Sequence, residues 1–157
     1  MQHRTAPIRG EPAFAPPRPL RIVVADDDRD AVLVLLTLLR DEGHVVEGVY
    51  SGDAVMPLVA ALVPDVVILD ISMPGASGYT VAREISESSA SGQAPMVIAI
   101  TGKYTSASDR MLSEIVGFDH YLLKPYAPQD LLSLLEQRKR DLRILSTPQP
   151  PKPRQLN

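Results

Sequence analysis

The stretch Val66-Val67-Ile68-Leu69-Asp70 decides the fold: four consecutive apolar residues, three of them β-branched, close on a carboxylate. A strand with one wet face alternates apolar with polar residues, so an unbroken apolar run predicts a strand covered on both faces, as in a parallel sheet. Pro64-Asp65 supplies a turn before it and Ser72-Met73-Pro74-Gly75 a turn after it. Three further runs have the same form: Arg21–Asp26 (RIVVAD), Met96–Thr101 (MVIAIT) and Tyr121–Lys124 (YLLK). Each ends on a group able to do chemistry. The carboxyl ends of parallel strands share one edge of the sheet, and open α/β folds bind their ligands at that edge. Asp26, Asp27, Asp70, Thr101, Lys124 and Pro125 are therefore expected to meet, although they are spread over a hundred residues.

Helix signals fill the intervals. Asp28 and Asp30 start a helix whose body is Ala31–Leu39 and whose stop is Gly43. His44–Tyr50 (HVVEGVY) reads as the second strand, followed by a helix over 52–62. A third helix is expected over 78–87, with Val81, Ile85 and Tyr79 at core spacing. A fourth is expected over 106–116, opened by an approximate capping pattern from Ser106 to Asp109. The last covers 128–145, with Leu131, Leu134, Leu135, Leu142 and Leu145 on one stripe. Five strand–helix repeats predict an α/β protein, a three-layer (βα)5 doubly wound parallel sheet.

Composition agrees with one such domain. The chain has 157 residues, 45% of them apolar, enough for a single core. There is no cysteine, which excludes disulfides and cysteine-ligated zinc and is compatible with a reducing cytosol. No apolar run approaches the roughly 20 residues of a membrane span, and residues 1–20 contain five prolines but no apolar signal core. A cytoplasmic protein is expected. Residues 1–20 and 146–157, both rich in proline and cations, are expected to be extended tails flanking a folded segment 21–145. The ends carry a surplus of two positive charges each, which leaves 21–145 at −7 within the total of −3. That acidity argues against nucleic acid as a direct partner, and the basic run Arg138, Lys139, Arg140 and Arg143 is read as a solvated face near a helix C-terminus. His3, His44 and His120 share no metal-binding spacing and are read as surface or strand-end residues.

Asp26, Asp27 and Asp70 would place three carboxylates together, an arrangement that repels itself unless a cation sits among them. All-oxygen ligation with few carboxylates and room for phosphate oxygens suits Mg²⁺. Asp70 has a second capacity, since a carboxylate can act as nucleophile and carry an aspartyl phosphate. Thr101 and Lys124 would supply a hydroxyl and a point charge for the remaining phosphoryl oxygens. The bland alternative makes Asp26 and Asp27 a helix cap, but Asp28 is available for that.

The motifs RIVVADDDRD, VVILDISMPGASGY, VIAITG and HYLLKPY, in this order and at these intervals, closely resemble the CheY-like receiver domain of two-component response regulators, over about Arg21 to Leu145. The resemblance implies the flavodoxin/CheY-like strand order 2-1-3-4-5. It implies that Asp70 accepts a phosphoryl group from a histidine kinase or phosphotransfer protein, with Mg²⁺ held by Asp27, Asp70 and the Ser72 backbone carbonyl and Asp26 assisting through a water. It also implies that Lys124 pairs with the phosphate, Thr101 moves toward it, the rotamer of Tyr121 follows the switch, and Lys124-Pro125 is a cis peptide. A protein that docks a downstream target, rather than a true enzyme, is expected, with a homodimer through the fourth helix, fifth strand and fifth helix as a further expectation. The loop Gly75-Ala76-Ser77-Gly78 departs from the pattern of many relatives, which bears on loop packing. Ser72 and Lys103 are expected to set the phosphate lifetime.

Two other classes compete. A Mg²⁺-dependent aspartyl-phosphate phosphatase on a similar sheet needs a second acid two residues after its nucleophile, where this chain has Ser72. A nucleotide or flavin module needs a glycine-rich loop after the first strand, where DDDRD stands. With 12 residues after Leu145, the chain reads either as a stand-alone receiver or as the receiver of a longer regulator or hybrid kinase.

Overall fold

The computed structural model describes residues 18–89, 92, 94–102 and 117–146. In chain order the elements are β1 (Arg21–Ala25), α1 (Arg29–Asp41), β2 (Val45–Val49), a short 3₁₀ turn (Gly52–Ala54) leading into α2 (Val55–Leu62), and β3 (Val66–Asp70). After these come α3 (Gly78–Ser88), β4 (Met96–Thr101), β5 (His120–Leu123) and α4 (Pro128–Ser146). All five strands are parallel, in the order β2-β1-β3-β4-β5. The expected helix over 106–116 lies outside the described residues, as does Lys103.

Successive side chains of a strand point to opposite faces, and here both faces are apolar. Ile22, Val24, Ile68, Ile98 and Ile100 pack on one side against Val32, Leu35 and Leu39 of α1 and Leu131, Leu135 and Leu142 of α4. Val23, Ala25, Val67, Leu69, Val97 and Ala99 pack on the other against Val55 of α2 and Val81, Ala82 and Ile85 of α3. β3 and β4 are buried almost throughout, as their unbroken apolar runs require, whereas β2 is an edge strand with an exposed Val45 and Glu47. Each fully buried Val, Leu or Ile contributes roughly 1.5–3 kcal/mol, so these two layers hold the strand ends in fixed register.

Local signals set the boundaries. The Asp28 carboxylate accepts from the N–H groups of Asp30 (3.0 Å) and Ala31 (3.2 Å), satisfying two donors at the start of α1. The chain turns at Gly43 into β2. Ser77 Oγ accepts from Thr80 N–H at 3.3 Å and opens α3.

Five details differ from these readings or add to them. Leu20 is 1% exposed within the α1/α4 core, and Arg18 binds Asp65 with both guanidinium nitrogens at 2.7 and 2.8 Å, so the ordered fold begins before residue 21. At the other end α4 continues to Ser146. Leu145 is 62% exposed and does not share the burial of Leu131, Leu135 and Leu142 on that stripe. Arg138 is not a solvated cation: it donates to the carbonyls of Asp65 (3.2 Å) and Ala94 (2.9 Å), groups that precede β3 and β4. His44, read as the first residue of the second strand, stands just before β2 and is buried, its Nδ1 accepting from Leu20 N–H at 3.3 Å.

Candidate phosphoacceptor and metal site

The carboxyl edge of the sheet gathers the residues picked out by strand-end position. Asp26 follows β1 and is 4% exposed. Its N–H donates to the Val49 carbonyl at 3.2 Å, extending the β1–β2 pairing, and its Oδ1 accepts from Asp28 N–H at 2.9 Å. Asp27 is exposed beside it. Asp70 closes β3, with Oδ1 accepting from Ser72 N–H at 3.0 Å. One carboxylate oxygen from each of Asp26, Asp27 and Asp70 lies within 4.8 Å of the others.

Lys124 reaches this cluster from just beyond β5. Its N–H donates to the Thr101 carbonyl at 2.9 Å, which fixes its backbone against the end of β4, and its Nζ lies 2.7 Å from Asp26 Oδ2 and 3.4 Å from Asp70 Oδ2. The Lys124-Pro125 peptide is cis. Thr101 is buried at the end of β4. Tyr121 stands further down β5 and is half-buried, its ring edge-on to Phe118 at 5.3 Å. Asp26, Asp27, Asp70, Thr101 and Lys124 thus share one edge, while Tyr121 faces the α2/α3 layer.

The electrostatics separate the two inner acids. Burial pushes the Asp26 carboxyl up, but the Lys124 ammonium and the Asp28 N–H outweigh it and hold it below the ordinary carboxylate value. For Asp70, burial and the neighbouring Asp26 charge prevail over the Ser72 N–H, and its carboxyl is raised. Burial works against the Lys124 charge, yet its hydrogen bond and proximity to Asp26 and its proximity to Asp70 keep the ammonium above its usual value. Three carboxylates against one ammonium leave the site short of positive charge. Their all-oxygen character and mutual spacing fit a small divalent cation such as Mg²⁺.

Beside the acids a cleft of about 330 Å³ is lined by Asp26, Asp70, Lys124, Val34, Leu35 and Tyr126. Tyr126, which sequence reasoning did not single out, lines it just after the Lys124-Pro125 pair, and burial raises its hydroxyl. Its place just past a strand end, where the other site residues stand, is the signal that could have found it. The departing loop residues keep structural roles: Ala76 packs against the α2/α3 core and Ser77 caps α3. A Cβ at Gly78 would lie 2.7 Å from both the Asp70 carbonyl and Ile71 Cα, so the helix start approaches the Asp70 backbone as only glycine allows.

A parallel (βα)5 sheet of this order with an acidic pair, a strand-end aspartate and a lysine on its carboxyl edge defines a class, and the chain belongs to it: the response regulator receiver domain family, whose model matches residues 22–136. This places the protein in two-component signalling. Among particular proteins, it is 33% identical over 113 residues to the transcriptional regulatory protein BaeR of Escherichia coli, covering 72% of this chain and 45% of that one. It is 34% identical over 120 residues to the DNA-binding response regulator MtrA of Mycobacterium tuberculosis, covering 76% of this chain and 50% of that one. The chain therefore spans about half the length of the curated relatives it matches. Among solved structures it is similar to the BeF3-activated N-terminal receiver domain of Klebsiella pneumoniae RstA, with a TM-score of 0.68 and 28% identity over 76% of this chain and 98% of that one. No helix among the described residues is long and apolar enough to cross a membrane.

Proposed function

We propose that Asp70 is the phosphoacceptor of a two-component phosphorelay, taking its phosphoryl group from a phosphohistidine of a histidine kinase or phosphotransfer protein. The observation that carries this reading is the meeting of Asp26, Asp27 and Asp70 with the Lys124 ammonium at one sheet edge. An Asp70 carboxylate oxygen attacks phosphorus, the P–N bond breaks, and the imidazole leaves with its electron pair and takes up a proton. Mg²⁺ held by Asp26, Asp27, Asp70 and the Ser72 carbonyl would supply charge neutralisation around the transferring group.

This chain's own residues do the rest. Ser72 N–H orients the Asp70 carboxylate. Lys124, already 3.4 Å from Asp70, pairs with a phosphoryl oxygen, and the Thr101 hydroxyl approaches another. The added charge biases the loops at this edge and, through Tyr121, the surface that includes β5 and α4. That surface docks a downstream protein or a second copy of the chain. Such a protein works as a cytoplasmic switch and catalyses at most its own phosphorylation and dephosphorylation, with Ser72 and Lys103 setting the lifetime. The folded segment is acidic, which supports a protein rather than nucleic acid as its direct target.

Incubation with acetyl phosphate and Mg²⁺ followed by intact mass measurement tests the reading. One added phosphoryl group is expected on the wild type and none on Asp70→Asn; no addition, or equal addition to both, refutes it.

A further inference from the structure

The acids stand at the start of two loops, 26–28 after β1 and 71–77 after β3, and a segment outside the cluster, with the end of β2 that leads into it, reaches Asp26 and α1 on one side and the second loop on the other. Tyr50 to Asp53 links β2 to α2. On one side, Arg29, in the first turn of α1, stacks its guanidinium 4.2 Å from the centroid of the Tyr50 ring, and Asp26 N–H donates to the Val49 carbonyl at 3.2 Å. On the other side, Gly52 N–H donates to the Pro74 carbonyl at 3.2 Å. Gly52 is buried, and a Cβ placed there would overlap the Ala76 carbonyl. The Asp53 carboxylate covers Gly75, where a Cβ would overlap it in turn. At Gly52 turn and loop thus meet backbone to backbone, at a distance that a side chain there would prevent.

The loop after Asp70 is pinned at three points: Ser72 N–H to the Asp70 carboxylate, the Pro74 carbonyl to Gly52 N–H, and Gly78 N–H to the Ile71 carbonyl. The middle pin comes from outside the loop. The Ser72 carbonyl lies between the first two, so displacing Pro74 and Ala76 reorients it and loosens the hold on Asp70.

We propose that Val49–Asp53 is a brace that ties the loop after Asp70 to Asp26 and to the first turn of α1, and that Gly52 is a positioning residue for Mg²⁺ binding and for phosphoryl acceptance at Asp70. The inference rests on the reading of Asp70 given above. It concerns residues that touch neither metal nor phosphoryl group, and it acts as second-layer contacts act on metal ligands elsewhere.

Calorimetric titration with Mg²⁺ on wild type, Gly52→Ala and Gly43→Ala tests it. Gly43 has φ +89° and open space around its Cβ position, so its alanine variant strains the backbone without touching the site. Gly52→Ala is expected to bind Mg²⁺ about tenfold more weakly and to take up the phosphoryl group from acetyl phosphate more slowly, while Gly43→Ala keeps wild-type affinity. Wild-type affinity and rate in Gly52→Ala overturn the proposal, and so do equal losses in both glycine variants. Should Gly52→Ala not fold, amide hydrogen exchange at Gly52 in the wild type decides instead: slowing on Mg²⁺ addition supports the brace, and unchanged exchange overturns it. A wild type that binds no Mg²⁺ at all defeats the underlying reading of the site, a result distinct from any of these.

Discussion

Replacing Asp70 by asparagine should stabilise the metal-free protein, although it removes the residue on which the proposed function depends. At an effective dielectric of about 20, two unit charges 4.8 Å apart repel by roughly 3.5 kcal/mol, and the three carboxylates lie no farther apart than that, so Asp26 and Asp27 together oppose the Asp70 charge by at least about 7 kcal/mol before solvent screening. Lys124 at 3.4 Å offsets about 5 kcal/mol of this. Asp27 is exposed and Lys124 partly so, and solvent screening reduces the remainder to about 1 kcal/mol. Asparagine keeps an Oδ1 acceptor for Ser72 N–H and loses the charge. The raised Asp70 carboxyl has the same sign: its ionisation costs stability above its folded pKa, and protonation relieves that cost as the pH falls toward the ordinary carboxylate value. Urea unfolding in EDTA near neutral pH, followed by far-UV circular dichroism, should give Asp70→Asn the higher midpoint. Added Mg²⁺ should then stabilise the wild type more than the variant, by mass action on the folded state. An Asp70→Asn protein less stable than wild type in EDTA would refute the charge-crowding account.

Arg18→Ala should cost about 1–2 kcal/mol, because it strips a bidentate partner from the buried Asp65 while Arg18 itself is 58% exposed. Burial opposes ionisation of Asp65, but Arg18 and the Arg21 N–H hold its carboxyl low, so its stabilising effect is present above the ordinary carboxylate pKa and lost as pH falls through the lowered one. Acid unfolding of Arg18→Ala should accordingly begin at higher pH, as read by circular dichroism. His44 is lowered, first by burial and then by Lys139, so the unfolded state takes up its proton first and stability should fall as the pH drops below the ordinary histidine value. His44→Asn, which retains an acceptor for Leu20 N–H, should flatten that slope in urea titrations run across neutral to mildly acidic pH. Gly78→Ala forces the start of α3 away from the Asp70 backbone and should destabilise by about 2–3 kcal/mol while slowing uptake from acetyl phosphate; wild-type stability would show that the contact is soft.

Most of the fold was legible because burial on two faces leaves a mark in single strands. Val66–Leu69 and Met96–Ile100 could be read as central, and the strand-end rule then placed Asp26, Asp70, Thr101 and Lys124 together without reference to coordinates. Asp28 was legible as a cap from its position alone. What escaped depends on pairs distant in sequence. The ordering of Arg18 requires Asp65, 47 residues away, and a proline-rich context hid it. Arg138 is held by carbonyls at 65 and 94, invisible in a run of four cations. Gly52 read as an ordinary helix start, since its approach to Ala76 exists only once two loops have been folded onto one edge. Leu145 kept the helical period, but the period does not say where the layer beneath stops.

The acids lie at the carboxyl edge, whereas Arg18, clamped to Asp65 just before β3, lies at the amino edge. α4 sets out from beside Lys124 and runs antiparallel to the strands, 19 residues or about 28 Å, to finish at Ser146. Arg18 and Ser146 therefore stand at one pole of the sheet and the Asp70 carboxylate opens at the other. On the proposed function, a phosphodonor approaches the pole opposite both of these residues. A change at Asp70, were it modified as proposed, would have to cross the full height of the domain, along that helix or through the layers beside it, to be felt at Arg18 or Ser146.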